Sequence, residues 1–128
     1  MRVAGLGAMA AVALAACVPQ VPEVSGRADF QALCAGCHGA DATGGEVAVD
    51  LTRVAARDGG RFDHARVMSH IDGYTRTDTE EVMPDFGALL GGEMVLVDLG
   101  DGVLTPTPAR LFALSQYIEA IQQDTAQP

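Results

Sequence analysis

Apolar residues recur along this chain in several distinct patterns, and each pattern predicts a different element. From Val3 to Ala16 they run unbroken behind a single positive charge at Arg2. Such a run is too short to span a bilayer as a helix and has the form of a secretory signal peptide over residues 1–16. Val18 to Ser25 then sets Pro19 and Pro22 among polar and β-branched residues, which predicts an extended tether. A first helix is expected from Ser25, a suitable N-cap, into the segment Cys34–His38. Residues 39–60 are punctuated by glycine and leave room for at most a short helical turn around Leu51–Ala55. From Phe62 to Tyr74 the pattern becomes helical again, with Val67 and Ile71 one turn apart and Gly73 as the stop. Met94–Leu99 and Val103–Thr105 flank Gly100-Asp101-Gly102, which predicts a β-hairpin near residues 94–105. Leu111, Leu114, Ile118 and Ile121 form one apolar stripe of a last helix, with Thr107 as its cap and Pro108 in its first turn.

Composition narrows this picture. At 128 residues the chain has room for one domain. With no Trp and few aromatic residues, that domain has a thin core of its own, and a bound apolar group would supply missing volume. Acidic residues number 17 against 8 basic ones, and every basic residue is an arginine. This balance excludes nucleic acid as a partner and argues against electrostatic adhesion to anionic lipid. It suits partners with basic faces.

The chemistry is concentrated in Cys34-Ala35-Gly36-Cys37-His38. A C-x-x-C-H run is the attachment signature of c-type haem. On one helical turn the thiols share a face and can add to the two haem vinyl groups, while the adjacent imidazole reaches the iron. Cys34 and Cys37 are therefore the candidate covalent haem residues, and His38 the candidate axial ligand. A thioredoxin-type redox pair belongs beside a βαβ pattern, which this sequence lacks. A zinc site needs further ligands, yet the remaining cysteine is Cys17, at the end of the leader.

Two resemblances extend the reading. Leu14-Ala15-Ala16-Cys17 resembles the lipobox of bacterial lipoproteins, which implies cleavage before Cys17 and a lipid on its thiol. Residues 17–25 would then be a lipidated tether. The second resemblance is to class I cytochromes c over residues 26–124. It rests on Gly26 and Phe30 ahead of Cys34, on the haem motif itself, on Met83-Pro84-Asp85-Phe86, and on Leu114-Ser115-Gln116-Tyr117-Ile118. The family's Met-Pro-x-Phe loop implies Met83 as the second axial ligand, with Pro84 stiffening the loop. The rivals are His70, which would make a bis-histidine site, and Met68, Met94 and His64. Met68 is expected to fill the core and His64 to lie at the surface. Arg53, Tyr74 and Arg76 are candidate partners for the haem propionates. Three departures stand out: the hairpin, the absence of lysine, and the lack of a Gly-Pro-x-Leu run after the haem motif, whose proline carbonyl often orients the histidine in that family.

The resemblance implies an all-α class I cytochrome c fold around one covalent haem c, with the hairpin as an insertion. It further implies a monomeric carrier, not an enzyme, that shuttles single electrons between redox partner proteins. Leader and lipobox place it on the periplasmic side of a bacterial membrane, held by its lipid anchor. A haem-based ligand sensor, or the haem subunit of a larger oxidoreductase, is the alternative.

Overall fold

A computed structural model describes residues 24–75 and 82–123. The leader, Cys17 and Arg76 lie outside the described residues. Ser25 caps the first helix as its sequence predicts, its hydroxyl accepting from the Ala28 amide at 3.2 Å. Helix α1 (Gly26–Asp29) passes into a π-helical turn (Phe30–Cys34) and then α2 (Ala35–His38). The Ala35 amide donates to the Phe30 carbonyl across that wider turn. A π-turn inserts a residue into the helical ladder and re-aims the side chains beyond it. The break from regular α geometry therefore falls directly before Cys37 and His38.

A 3-10 turn (Leu51–Arg53) and helix α3 (Val54–Arg57) come after the glycine-rich loop, so this segment is more helical than its glycines suggest. Helix α4 spans His64–Asp72, shorter than the expected 62–74 because Asp63 is its cap, accepting from the Arg66 amide at 2.9 Å. Gly73 ends it in the left-handed conformation, φ 93°. Helix α5 (Gly87–Leu90) is a single turn.

The hairpin is present but longer than expected. Strands β1 (Met94–Asp98) and β2 (Leu104–Pro108) pair antiparallel, with Met94 opposite Pro108 and Asp98 opposite Leu104. The second strand thus extends three residues past Thr105 and runs straight into α6 (Ala109–Ala120). This corrects the cap assignment. Thr107 is a buried strand residue whose hydroxyl donates to the Thr105 carbonyl, and Pro108 stands at the N-cap position without a side-chain bond.

Helix α6 organises the core. Its Leu111, Leu114 and Ile118 are buried with Phe30, Met68, Ile71 and Leu90. Gly26 makes the crossing possible: a Cβ there would sit on the Ala113 carbonyl. One turn on, the rings of Phe30 and Tyr117 pack tilted with centroids 5.3 Å apart. Arg110 ties the same crossing to Asp29 and donates to the Leu89 carbonyl at 2.7 Å. At the far end, the Gln122 side-chain amide accepts from the Ala55 N–H at 2.9 Å and donates to the Leu51 carbonyl at 2.8 Å. The loop after α2 is thereby fastened to the last helix.

His64 is not the surface residue its position suggested. Its ring is 19% exposed, bonded to Ser115 Oγ and Glu119 Oε2 at 3.0 Å each, with Phe62 and Phe112 against it. It joins α4 to α6. Among the described residues, no helix is long and apolar enough to cross a membrane.

Candidate haem site

The loop after α2 decides the chemistry of His38. Gly39 leaves the helix with φ 81° and Gly44 turns the chain back with φ 77°. The Gly44 amide donates to the His38 carbonyl at 2.8 Å, and Leu51 to Ala42 at the same distance. This return brings the Val49 carbonyl 2.9 Å from His38 Nδ1. A carbonyl only accepts, so Nδ1 carries the proton and the neutral ring keeps a lone pair on Nε2. A backbone carbonyl on the second nitrogen is the usual support of a metal-binding histidine. Val49 here fills the role for which the sequence shows no proline.

The His38 ring is buried and borders two clefts, of about 270 and 340 Å³. They share Cys34, His38, Val49, His70 and Met83. The smaller cleft continues to Cys37, Pro84 and Phe86, the larger to Val67, Ile71 and Ile118. Both are walled mainly by apolar side chains, as a site for a large apolar group should be. The structure thus brings together all four haem-site residues expected of this domain: Cys34, Cys37, His38 and Met83.

The two thiols are not joined to each other. Burial, with the Asp29 and Cys37 charges adding, pushes the Cys34 thiol up to about 11. A thioredoxin-type attacking cysteine needs the opposite shift. Nor does any group of three His, Cys, Asp or Glu side chains among the described residues have the disposition of a metal cluster. Two thiols on one cleft, a histidine with its tautomer fixed by backbone, and apolar walls do fit a covalent haem.

Met83 and His70 both border both clefts, but in different settings. His70 is exposed on α4. Met83 is half-buried and packs against the core. Its loop is held by the Phe86 amide, which donates to the Ile71 carbonyl at 3.0 Å. Asp85 and Asp72 fill the spaces beside Gly73 and Gly87, where a Cβ would collide with them. The other candidates lie elsewhere. Met68 is buried in the core, Met94 is exposed on β1, and His64 is engaged with α6.

Of the three residues expected to meet the propionates, Arg76 lies outside the described residues. Arg53 is exposed and borders neither cleft, and Tyr74 is 86% exposed on another part of the surface. Among the described residues, the arginines on the larger cleft are Arg57 and Arg66. Nothing in the spacing of the arginines distinguishes them. They become visible only once α3 and α4 converge.

A buried histidine, two thiols and a thioether border one apolar cleft, a set suited to haem. The family model for cytochrome c matches residues 24–92. The chain belongs to the cytochrome c family, and that membership implies a covalently bound haem c and haem-based electron transfer. No curated protein and no solved structure matches the chain. The family match ends just before the hairpin, so β1, β2 and α6 lie beyond it.

Proposed function

We propose that this chain is a class I monohaem cytochrome c that carries single electrons between protein partners on the periplasmic side of a bacterial membrane. Cys34 and Cys37 hold the haem by thioether bonds, and His38 and Met83 are the axial iron ligands. The His38–Val49 bond carries this reading, since it fixes the imidazole tautomer that a ligand needs. The choice of Met83 over His70 rests on enclosure. A half-buried thioether on a loop bonded to α4 is held beside the cleft, whereas an exposed imidazole gives up water to bind.

When bound, the haem supplies a one-electron iron couple. The chain's own residues keep water off its faces with apolar walls and hold both ligands on fixed elements. A methionine ligand raises the potential relative to bis-histidine, and a closed coordination sphere favours electron transfer over ligand binding. Exchange with partners would occur at the rim of the smaller cleft. There Cys37 is exposed, and Val47 and Val82 are 76% and 82% exposed. Cleavage before Cys17 leaves seven arginines against seventeen acids, which favours partners with basic docking faces. Lipidated Cys17 and the tether through Ser25 hold the domain near the bilayer.

The test is the reduced holoprotein under carbon monoxide. A carrier with both axial positions filled by protein shows reversible one-electron titration and an unchanged reduced spectrum. Rapid carbon monoxide uptake would instead identify a ligand-binding haem.

A further inference from the structure

Large apolar side chains stand exposed at two places that the haem motif does not connect. Val47, Val49 and Val82 border the smaller cleft, where the proposed exchange with partners occurs. Met94, Leu96, Val103 and Leu104 belong to the hairpin and are between 54% and 64% exposed. Strand residues alternate between faces, and the register sets Leu96 opposite Pro106. Met94 and Leu96 of β1 therefore share one face with Leu104 and Pro106 of β2, and all four are exposed. Val95, Val97, Thr105 and Thr107 take the other face, half-buried or buried, and β2 packs on α6. The solvated face of an antiparallel pair is ordinarily polar. An apolar one marks a contact surface.

This face stands at the end of the domain where the chain enters it. The Ala109 amide donates to the Glu93 carbonyl at 2.8 Å and closes the base of the hairpin. The next residue, Arg110, pairs with Asp29 of α1 and donates to the carbonyl of Leu89, itself 57% exposed. Helix α1 starts at Gly26, packed on Ala113 one turn further along α6. The start of α6 thus gathers the hairpin base, Leu89 and the entry of the tether. Residues 18–25 reach at most about 25–30 Å, and a five-residue strand is about 17 Å long. A bilayer that holds Cys17 is within reach of the whole hairpin.

We propose that the outer face of the hairpin rests on the bilayer that holds the Cys17 lipid and orients the domain there. The inference rests on the lipid-anchor reading and goes beyond it, since an anchor on a tether leaves the domain free to turn. The contact is apolar: Met94, Leu96, Leu104 and Pro106 meet the boundary between headgroups and acyl chains. Glu93, Asp98 and Asp101 lie around it, so phosphatidylcholine suits this face better than anionic lipid. Strand pairing of a second copy along the edge of β1 would leave the face uncovered.

The experiment is photo-crosslinking of the full lipidated holoprotein in phosphatidylcholine vesicles whose acyl chains carry a diazirine near the headgroup. Adducts are mapped by peptide mass spectrometry in wild type, Leu96→Thr/Leu104→Thr and Val47→Thr. Threonine suits a strand, so the double variant keeps the hairpin. Wild-type adducts should concentrate in residues 89–108, several-fold above residues 44–50. The double variant should lose most of them while it stays on the vesicles, and Val47→Thr should match wild type. A hairpin labelled no more than residues 44–50, or labelled equally in the double variant, overturns the proposal. An unlabelled hairpin together with a dimer that the double variant dissociates also overturns it and gives the face to a second copy. Wild-type Cys17 without lipid, read by mass, overturns the anchor reading beneath and is distinct from these results.

Discussion

His38 and Val49 are joined by a hydrogen bond of 2.9 Å from the imidazole Nδ1 to the backbone carbonyl, across a loop that closes on glycine. The loop depends on Gly44, whose φ is 77° and where a Cβ would come within 2.5 Å of the Ala48 carbonyl and 2.8 Å of the Asp50 amide. Gly44→Ala therefore strains the backbone on both sides of Val49. It should cost about 1–3 kcal/mol in stability and shift the haem potential by disturbing the histidine. Thermal unfolding and a potential titration check it, with Gly45→Ala, which meets nothing, as the control.

Gly26→Ala should be more damaging. The added methyl falls on backbone at Ala113, which cannot rotate away as a side chain can. Either α1 and α6 separate, or Phe30 and Tyr117 lose their packing. A loss of at least about 1–3 kcal/mol is expected, read as a fall in the melting temperature of the holoprotein.

Gly26, Phe30 and Tyr117 were legible through the resemblance to class I cytochromes c, in which a glycine and an aromatic residue one turn apart let the first and last helices cross closely. The haem motif was legible because covalent chemistry leaves its residue types in consecutive positions. What escaped was long-range and carried by backbone. The Val49 carbonyl belongs to every residue type alike, so no letter announces it. Gln122, which bonds Ala55 and Leu51, and His64, which joins α4 to α6, each look like ordinary helix-surface residues until the partner element is in place. The π-turn at Phe30–Cys34 and the run of β2 into α6 also escaped, since neither alters the hydrophobic period enough to be read.

The hairpin tip should loosen in acid. Backbone N–H groups of Gly100 and Gly102 donate to Asp98 Oδ1 at 2.8 and 3.0 Å, and they hold this exposed carboxyl below its ordinary value of 3.8. A lowered folded value means the contribution is complete above the ordinary carboxylate range and is lost as pH falls through the lowered one. Protection of the Gly100 and Gly102 amides, measured against their intrinsic exchange rates, should fall on that descent. In Asp98→Asn it should be lower at neutral pH and lose its acid step.

In the proposed reading, membrane attachment rests on one atom, the Cys17 thiol. Cys17→Ser should move the haem-loaded protein from the membrane fraction to the soluble periplasmic fraction. Retention of the variant on membranes would point to another means of attachment.

The central claim is that Met83 closes the iron's second axial position, and the oxidised optical spectrum addresses it directly. The weak far-red charge-transfer band of methionine-ligated ferric haem should be present in wild type and in His70→Gln, and absent in Met83→Ala. A wild-type spectrum without that band, or a band that survives Met83→Ala, contradicts the account.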